Sequence, residues 1–268
     1  MNDENIKKIQ EILNKIKADK KISEKFYPCG IKCVFDLIGE TRLKNMKKSN
    51  VDIKNRFGYT SIEVSGTGIY SSDKPKEYDR RYYLEFDILT PKTNNKKSLL
   101  TLMMNPSNTF PKSKIDSTVK NVIRIATILR YSKIIVLNSL PVINSTGVKV
   151  KYSNSETEEI NTEFIKYYLG DKELNKTQDF LIAFGANNEV KKLLNNNGLI
   201  DECINKRQNK YVYKKNSSNT PSHPGNTNTK YVYDFILGTN PQAKKLKSLG
   251  GMSYSSSNIK SSLTGNKK

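Results

Sequence analysis

The side chains in this sequence with chemistry to offer are two asparagines and one histidine. Asn105 precedes proline in "LTLMMNPSNTF", Asn138 closes the apolar run "IIVLN", and His223, the only histidine, sits in "SHPG". A carboxamide carries one acceptor oxygen and two donor hydrogens, enough to read the polar edge of a planar ligand. It is a poor base, so it orients water more than it deprotonates it. An imidazole can donate a hydrogen bond to a developing anion. Gly185 follows a third apolar run, "DFLIAF", and Asp116 is the acid nearest to these residues. Each also has a plainer role. Asn105 can shape a turn before Pro106, and Asn138 can cap the segment that follows it. Gly185 can allow close packing, His223 can be an ordinary loop residue, Asp116 can cap a helix, and Phe110 can belong to the core.

Several chemistries are missing from the pattern. No Ser–His–Asp arrangement is evident, and there is no Walker loop, GxGxxG or kinase signature. Paired carboxylates are absent from the ends of the apolar runs. Cys29 and Cys33 sit four apart, a spacing that suits a metal, but a structural zinc site needs four ligands and the chain has one histidine, so no metal and no cofactor are expected. Three cysteines in 268 residues suit a reducing compartment, with free thiols. No apolar run is long enough to cross a membrane, and "MNDENIKKIQ" does not look like a signal peptide. The expected location is the cytoplasm.

The formal charge is +20, from 46 Lys and Arg against 26 Asp and Glu. Such an excess attracts polyanions, of which nucleic acid is the usual one. A bias toward Lys and Asn in the source is the plain alternative.

The elements that must position these residues follow from periodicity. Residues 3–19 place Ile6, Ile9, Leu13 and Ile16 at helical spacing. "TSIEVSGTGIY" and "RYYLEFDILT" are rich in β-branched and aromatic residues and read as two antiparallel strands at a sheet edge. Then "SLLTLMMN", "SKIIVLNSL" and "DFLIAFGA" read as buried strands. They alternate with helices in "DSTVKNVIRIATILRY", "NSETEEINTEFIKYYLG" and "NNEVKKLLNNNG". This alternation predicts an α/β fold with a central, mostly parallel sheet and helices on both faces. In such sheets ligands gather at the carboxyl ends of the strands, which is where Asn105, Asn138 and Gly185 fall. "KYVY" at 210–213 and again at 230–233 brackets a polar loop containing His223. The expected organisation is an N-terminal helical extension over 1–50, an α/β domain over 51–238 and a basic flexible tail over 239–268.

The run from Tyr82 to about Asp234 resembles a family of uncharacterised domains. That family's hallmarks are a "MLNPSTAD"-like turn, a "DPT" helix start, a "VVNLFA"-like strand, a "WGN"-like strand and a late "HP". The corresponding pieces here are "MMNPSNTF", "IDSTV", "VLNSLP", "FGANN" and "SHPG". The same order is similar to the uracil-DNA glycosylase superfamily, with its "QDPY" or "INPG", "LLLN", "LWG" and "HPSP" motifs. The resemblance implies that fold, and hydrolysis of the N-glycosidic bond of an aberrant or modified base flipped out of DNA. It implies a setting in DNA repair or phage defence. On it, Asn105 orients water and His223 donates to the departing base. Asn138, Phe110 and Pro106 hold the base. Ser107, Ser222, Gly185, Lys214 and Lys215 meet the DNA backbone, and Asp116 is a further candidate. Ser107 stands where an aromatic is usual in that superfamily, which implies a wider pocket. Two alternatives share the fold: a non-catalytic binder of nucleotides or nucleic acid, and a hydrolase of free nucleosides or nucleotides.

Overall fold

The computed structural model describes residues 43–52, 61–70, 79–89, 97–107, 109, 115–144, 155–170, 172–185, 187–204, 207, 210–212, 221–226 and 252–253. The expected helix at 3–19, Cys29, Cys33, Phe110, Lys214, Lys215, the second "KYVY" and most of the basic tail lie outside these residues.

Eight strands form one sheet in the order β1-β2-β3-β5-β4-β6-β7-β8. They are β1 (Leu43–Asp52), β2 (Ser61–Tyr70), β3 (Arg81–Ile88), β4 (Ser98–Met103), β5 (Lys133–Asn138), β6 (Gln178–Ala183), β7 (Lys210–Val212) and β8 (Met252–Ser253). Among the described residues the helices are α1 (Ser117–Ile128), α2 (Ser155–Gly170), α3 (Lys172–Thr177) and α4 (Asn188–Asn196). A π-helical turn spans Leu199–Ile204 and a 3-10 turn spans Pro224–Asn226.

The α/β class holds, but the sheet is not mostly parallel. Only β5-β4-β6-β7 run parallel. The pairs β1–β2, β2–β3, β3–β5 and β7–β8 are antiparallel. The antiparallel wing is larger than the sequence suggests because β1, "LKNMKKSNVD", is too polar to read as a strand. It pairs along β2, so residues 43–50 belong to the sheet instead of the N-terminal extension. β8 likewise brings two residues of the tail against β7.

The three apolar runs are central strands because burial on both faces leaves no need for polar alternation. β4 and β6 are buried at every position. Strand alternation sends their side chains into two cores. On one face Leu99, Met103, Ile134, Val136, Leu181 and Ala183 pack with Val119, Val122, Ile123 and Ala126 of α1. On the other, Leu100, Leu102, Ile135, Leu137, Phe180 and Ile182 pack with Phe164, Ile165 and Leu169 of α2 and Val190 and Leu194 of α4.

This distribution fixes where a cleft opens. The chain leaves β4 toward α1 on one face and leaves β6 toward α4 on the other. Neighbouring strands whose exits diverge create a crevice outside their carboxyl ends. Here it lies at the aligned pair Met103 and Ala183. The antiparallel wing adds to the same end. Strand β3 begins, and β2 finishes, where β5 terminates, since Leu84 pairs with Val136 and Tyr70 with Arg81.

Candidate functional site

The Asn105–Pro106 turn lies at the β4 side of this crevice. Asn105 is buried, and its Nδ2 donates to the carbonyls of Pro106 (3.1 Å) and Asn144 (2.8 Å). The backbone N–H of Asn144 returns a bond to the Pro106 carbonyl at 3.0 Å. Both amide hydrogens are therefore committed to the turn. What the side chain has left to offer is the acceptor Oδ1.

Asn138 ends β5, level with Met103 in the parallel ladder. Alternation with Ile134 and Val136 places it on the α1 face. Its relative exposure is 0%. Neither Nδ2 nor Oδ1 has a hydrogen-bond partner among the described residues. Its backbone is held instead. Nδ2 of Asn161, on α2, donates to the carbonyls of Asn138 (2.8 Å) and Ser139 (3.2 Å).

The histidine loop closes the crevice from the β6 side. A Cβ built on Gly185 would lie 3.4 Å from Cβ of His223. Gly185 has φ of +86°, a conformation glycine adopts without strain. Across from it, a Cβ on Gly225 would meet Oγ1 of Thr118 at 2.7 Å, so the "HPG" turn lies tight against the first turn of α1. Nδ2 of Asn121 anchors it from α1 by donating to the Pro224 carbonyl at 2.9 Å. Ser222, partly buried, enters the same turn.

His223 is neutral near pH 7. Burial lowers its pKa to about 4, with Asp116 pulling weakly the other way. Its Nδ1 accepts the backbone N–H of Gly225 at 3.1 Å. A neutral ring that accepts at Nδ1 carries its hydrogen on Nε2. The side chain is thus set as a neutral Nε2–H donor.

Asp116 is the N-cap of α1. Oδ1 accepts from the N–H of Thr118 (2.8 Å) and Val119 (3.2 Å), while Oδ2 accepts from the Thr109 hydroxyl. Its oxygens are occupied in ordering the helix start, which is the plain role weighed for it from sequence.

Beneath the turn lies a group that periodicity passes over. Arg81 opens β3 and is fully buried. Its Nη1 donates to the carbonyls of Ser107 (3.3 Å) and Thr109 (3.4 Å). The Tyr70 hydroxyl also donates to the Thr109 carbonyl, at 2.9 Å, and burial pushes that phenol up to about 12. Burial lowers the pKa of Arg81, against the opposing pull of Tyr70 and Asp116. An arginine inside the apolar run "RRYYLEF" is the signal that could have drawn attention to it.

The elements thus bring Asn105, Pro106, Ser107, Asp116, Asn138, Gly185, Ser222 and His223 to the carboxyl end of the parallel strands. Among the described residues no group of three or more His, Cys, Asp or Glu could hold a metal ion. No helix among them is long and apolar enough to cross a membrane.

A family model described as "Protein of unknown function (DUF1643)" matches residues 81–225. The matched stretch starts at Arg81 and ends at Gly225, spanning all of the residues just placed. No curated protein matches the chain.

Proposed function

The chain belongs to that family of unknown function (DUF1643), and from this premise we propose that it is a DNA N-glycosylase on a uracil-DNA glycosylase-like fold. Its substrate is an aberrant or modified base flipped out of DNA. The observation that carries this reading is Asn138. A buried polar group without a partner costs about 1–3 kcal/mol, and Asn138 has two such atoms. Such an amide is tolerable where a ligand supplies the partners. A nucleobase edge, with donors and acceptors in one plane, fits a carboxamide.

The neighbours suit the reaction. The C1′–N bond breaks with its electron pair leaving on the base, and positive charge develops on the sugar. The Nε2–H of His223 donates to the base anion and needs no proton transfer of its own. Oδ1 of Asn105 accepts a hydrogen bond from water. The water oxygen then bonds C1′, its proton passes to solvent, and solvent protonates the released base. An amide at this position suits such a dissociative path, since the water is oriented more than activated. On this reading Ser222, partly buried in the histidine turn, and Ser107, once its hydroxyl is uncovered, would meet flanking phosphates.

The occupied oxygens of Asp116 favour a second reading, a non-catalytic binder of nucleotides or nucleic acid.

Abasic-site formation on oligonucleotides carrying uracil and a panel of modified bases separates the two. The glycosylase reading expects alkali-labile strand scission that is abolished in Asn105→Ala and reduced about 10²-fold or more in His223→Ala. A wild-type protein that binds these oligonucleotides but releases no base from any of them establishes the binder.

A further inference from the structure

We propose that Arg81 and Ser107 form an anion subsite for a phosphate group, beside the crevice and beneath the Asn105–Pro106 turn. This rests on the nucleic-acid reading above and names the group that Arg81 would take. The guanidinium has an exposure of 0%, and Nε and Nη2 have no hydrogen-bond partner among the described residues. Oγ of Ser107 is likewise buried and without a partner there. The two residues already touch, because Nη1 of Arg81 donates to the Ser107 carbonyl.

No carboxylate among the described residues forms an ion pair with Arg81. Asp116 is the carboxylate whose charge acts on Arg81, and Thr109 links the two. Arg81 donates to the Thr109 carbonyl, while the Thr109 hydroxyl donates to Asp116. Asp116 partly offsets the field of Arg81 without using Nε or Nη2. Nε and one Nη of a guanidinium form a parallel pair of donors that matches two oxygens of a phosphate. Ser107 adds a third donor. A buried charge left with two unused donors is costly unless an anion completes it. Lysine could not replace this geometry, since its ammonium is a point charge.

Nε, Nη2 and Oγ lie out of reach of solvent; the turn carrying Ser107 is bonded to the same guanidinium through Nη1, and on this proposal it is the part that shifts to admit the anion. Entry of a phosphate is therefore coupled to the position of Asn105. A phosphate bound here would set the turn that presents the water-orienting amide.

The test is calorimetric titration of the full chain at constant ionic strength. One arm uses inorganic phosphate and the other a short oligothymidylate, which offers only phosphodiesters and ordinary bases. Saturable binding in either arm is expected, weakened about tenfold in Ser107→Ala and at least as much in Arg81→Lys. Saturation by phosphate alone assigns the subsite to a terminal or free phosphate. Saturation by the oligonucleotide alone assigns it to a strand. Ser107→Ala removes a hydroxyl that holds no described element in place, so it keeps the test intact if Arg81→Lys does not fold. Equal affinities in wild type and in folded Ser107→Ala, or no binding in either arm, overturn the subsite. Base release is scored separately. Phosphate binding without base release leaves the subsite standing and removes the glycosylase, and base release with unaltered binding in the variants does the reverse.

Discussion

At the scale of single residues, function and stability pull apart at Asn138. Its amide is buried with both polar atoms unused, so an apolar replacement relieves a desolvation cost. Asn138→Leu is expected to match or exceed the wild type in thermal stability, by roughly 1 kcal/mol, while losing base recognition. Melting curves beside oligonucleotide binding check this, and a large loss of stability would mean that the amide holds the fold. His223 makes a prediction about pH. Its folded pKa of about 4 lies below the ordinary value of 6.5. Between these values the unfolded chain binds a proton that the folded chain refuses. Stability therefore falls as pH drops from about 6.5 toward 4 and the dependence ends below that. The full loss is up to about 3 kcal/mol. Denaturant melts across this window should show a flatter profile for His223→Asn than for the wild type. Asn105 and Asn138 stand out in the sequence because each ends an apolar run. Nothing there separates them, yet one spends its donors on a turn and the other spends nothing.

At the scale of elements, α1 is the part that organises the cleft. Its N-cap Asp116 ties the helix start to Thr109, and its Asn121 ties the helix to the Pro224 carbonyl. Asp116→Ala removes the cap and the hold on Thr109 together and is expected to destabilise by about 1–2 kcal/mol. Asn121→Ala should cost less stability but displace His223, so oligonucleotide turnover falls more than melting temperature does. Chemical-shift changes confined to the "HPG" turn would register that displacement. The capped helix, the three buried strands and the strand pair β2–β3 are legible from sequence because each is a local pattern: an Asp before a 3.6-residue period, unbroken apolar runs, β-branched alternation. Strand β1 is not legible. Its lysines and asparagines are tolerated because a sheet edge needs only one apolar face and charges guard it against further pairing.

At the scale of the whole molecule, the chain carries a net charge of +20, and its candidate site lies at the carboxyl ends of the parallel strands. If the ligand is nucleic acid, affinity should fall with salt at a log–log slope of about 0.9 per phosphate neutralised. A flat response measured by fluorescence anisotropy would favour a hydrolase of free nucleosides or nucleotides, for which the charge is incidental. Local sequence alone determined which segments become strands and helices and which side chains stand at their ends, since periodicity and turn chemistry act over a few residues. Tertiary structure alone decided three matters. Strand β3 pairs with β5 and not with β4, the next strand in the chain, which makes the sheet mixed. Exits from β4 and β6 diverge to opposite faces, which opens the crevice. Arg81, 24 residues before Asn105, comes to lie under its turn. All three depend on pairings between segments far apart in the chain, where burial and backbone hydrogen bonding across the sheet outweigh local preference.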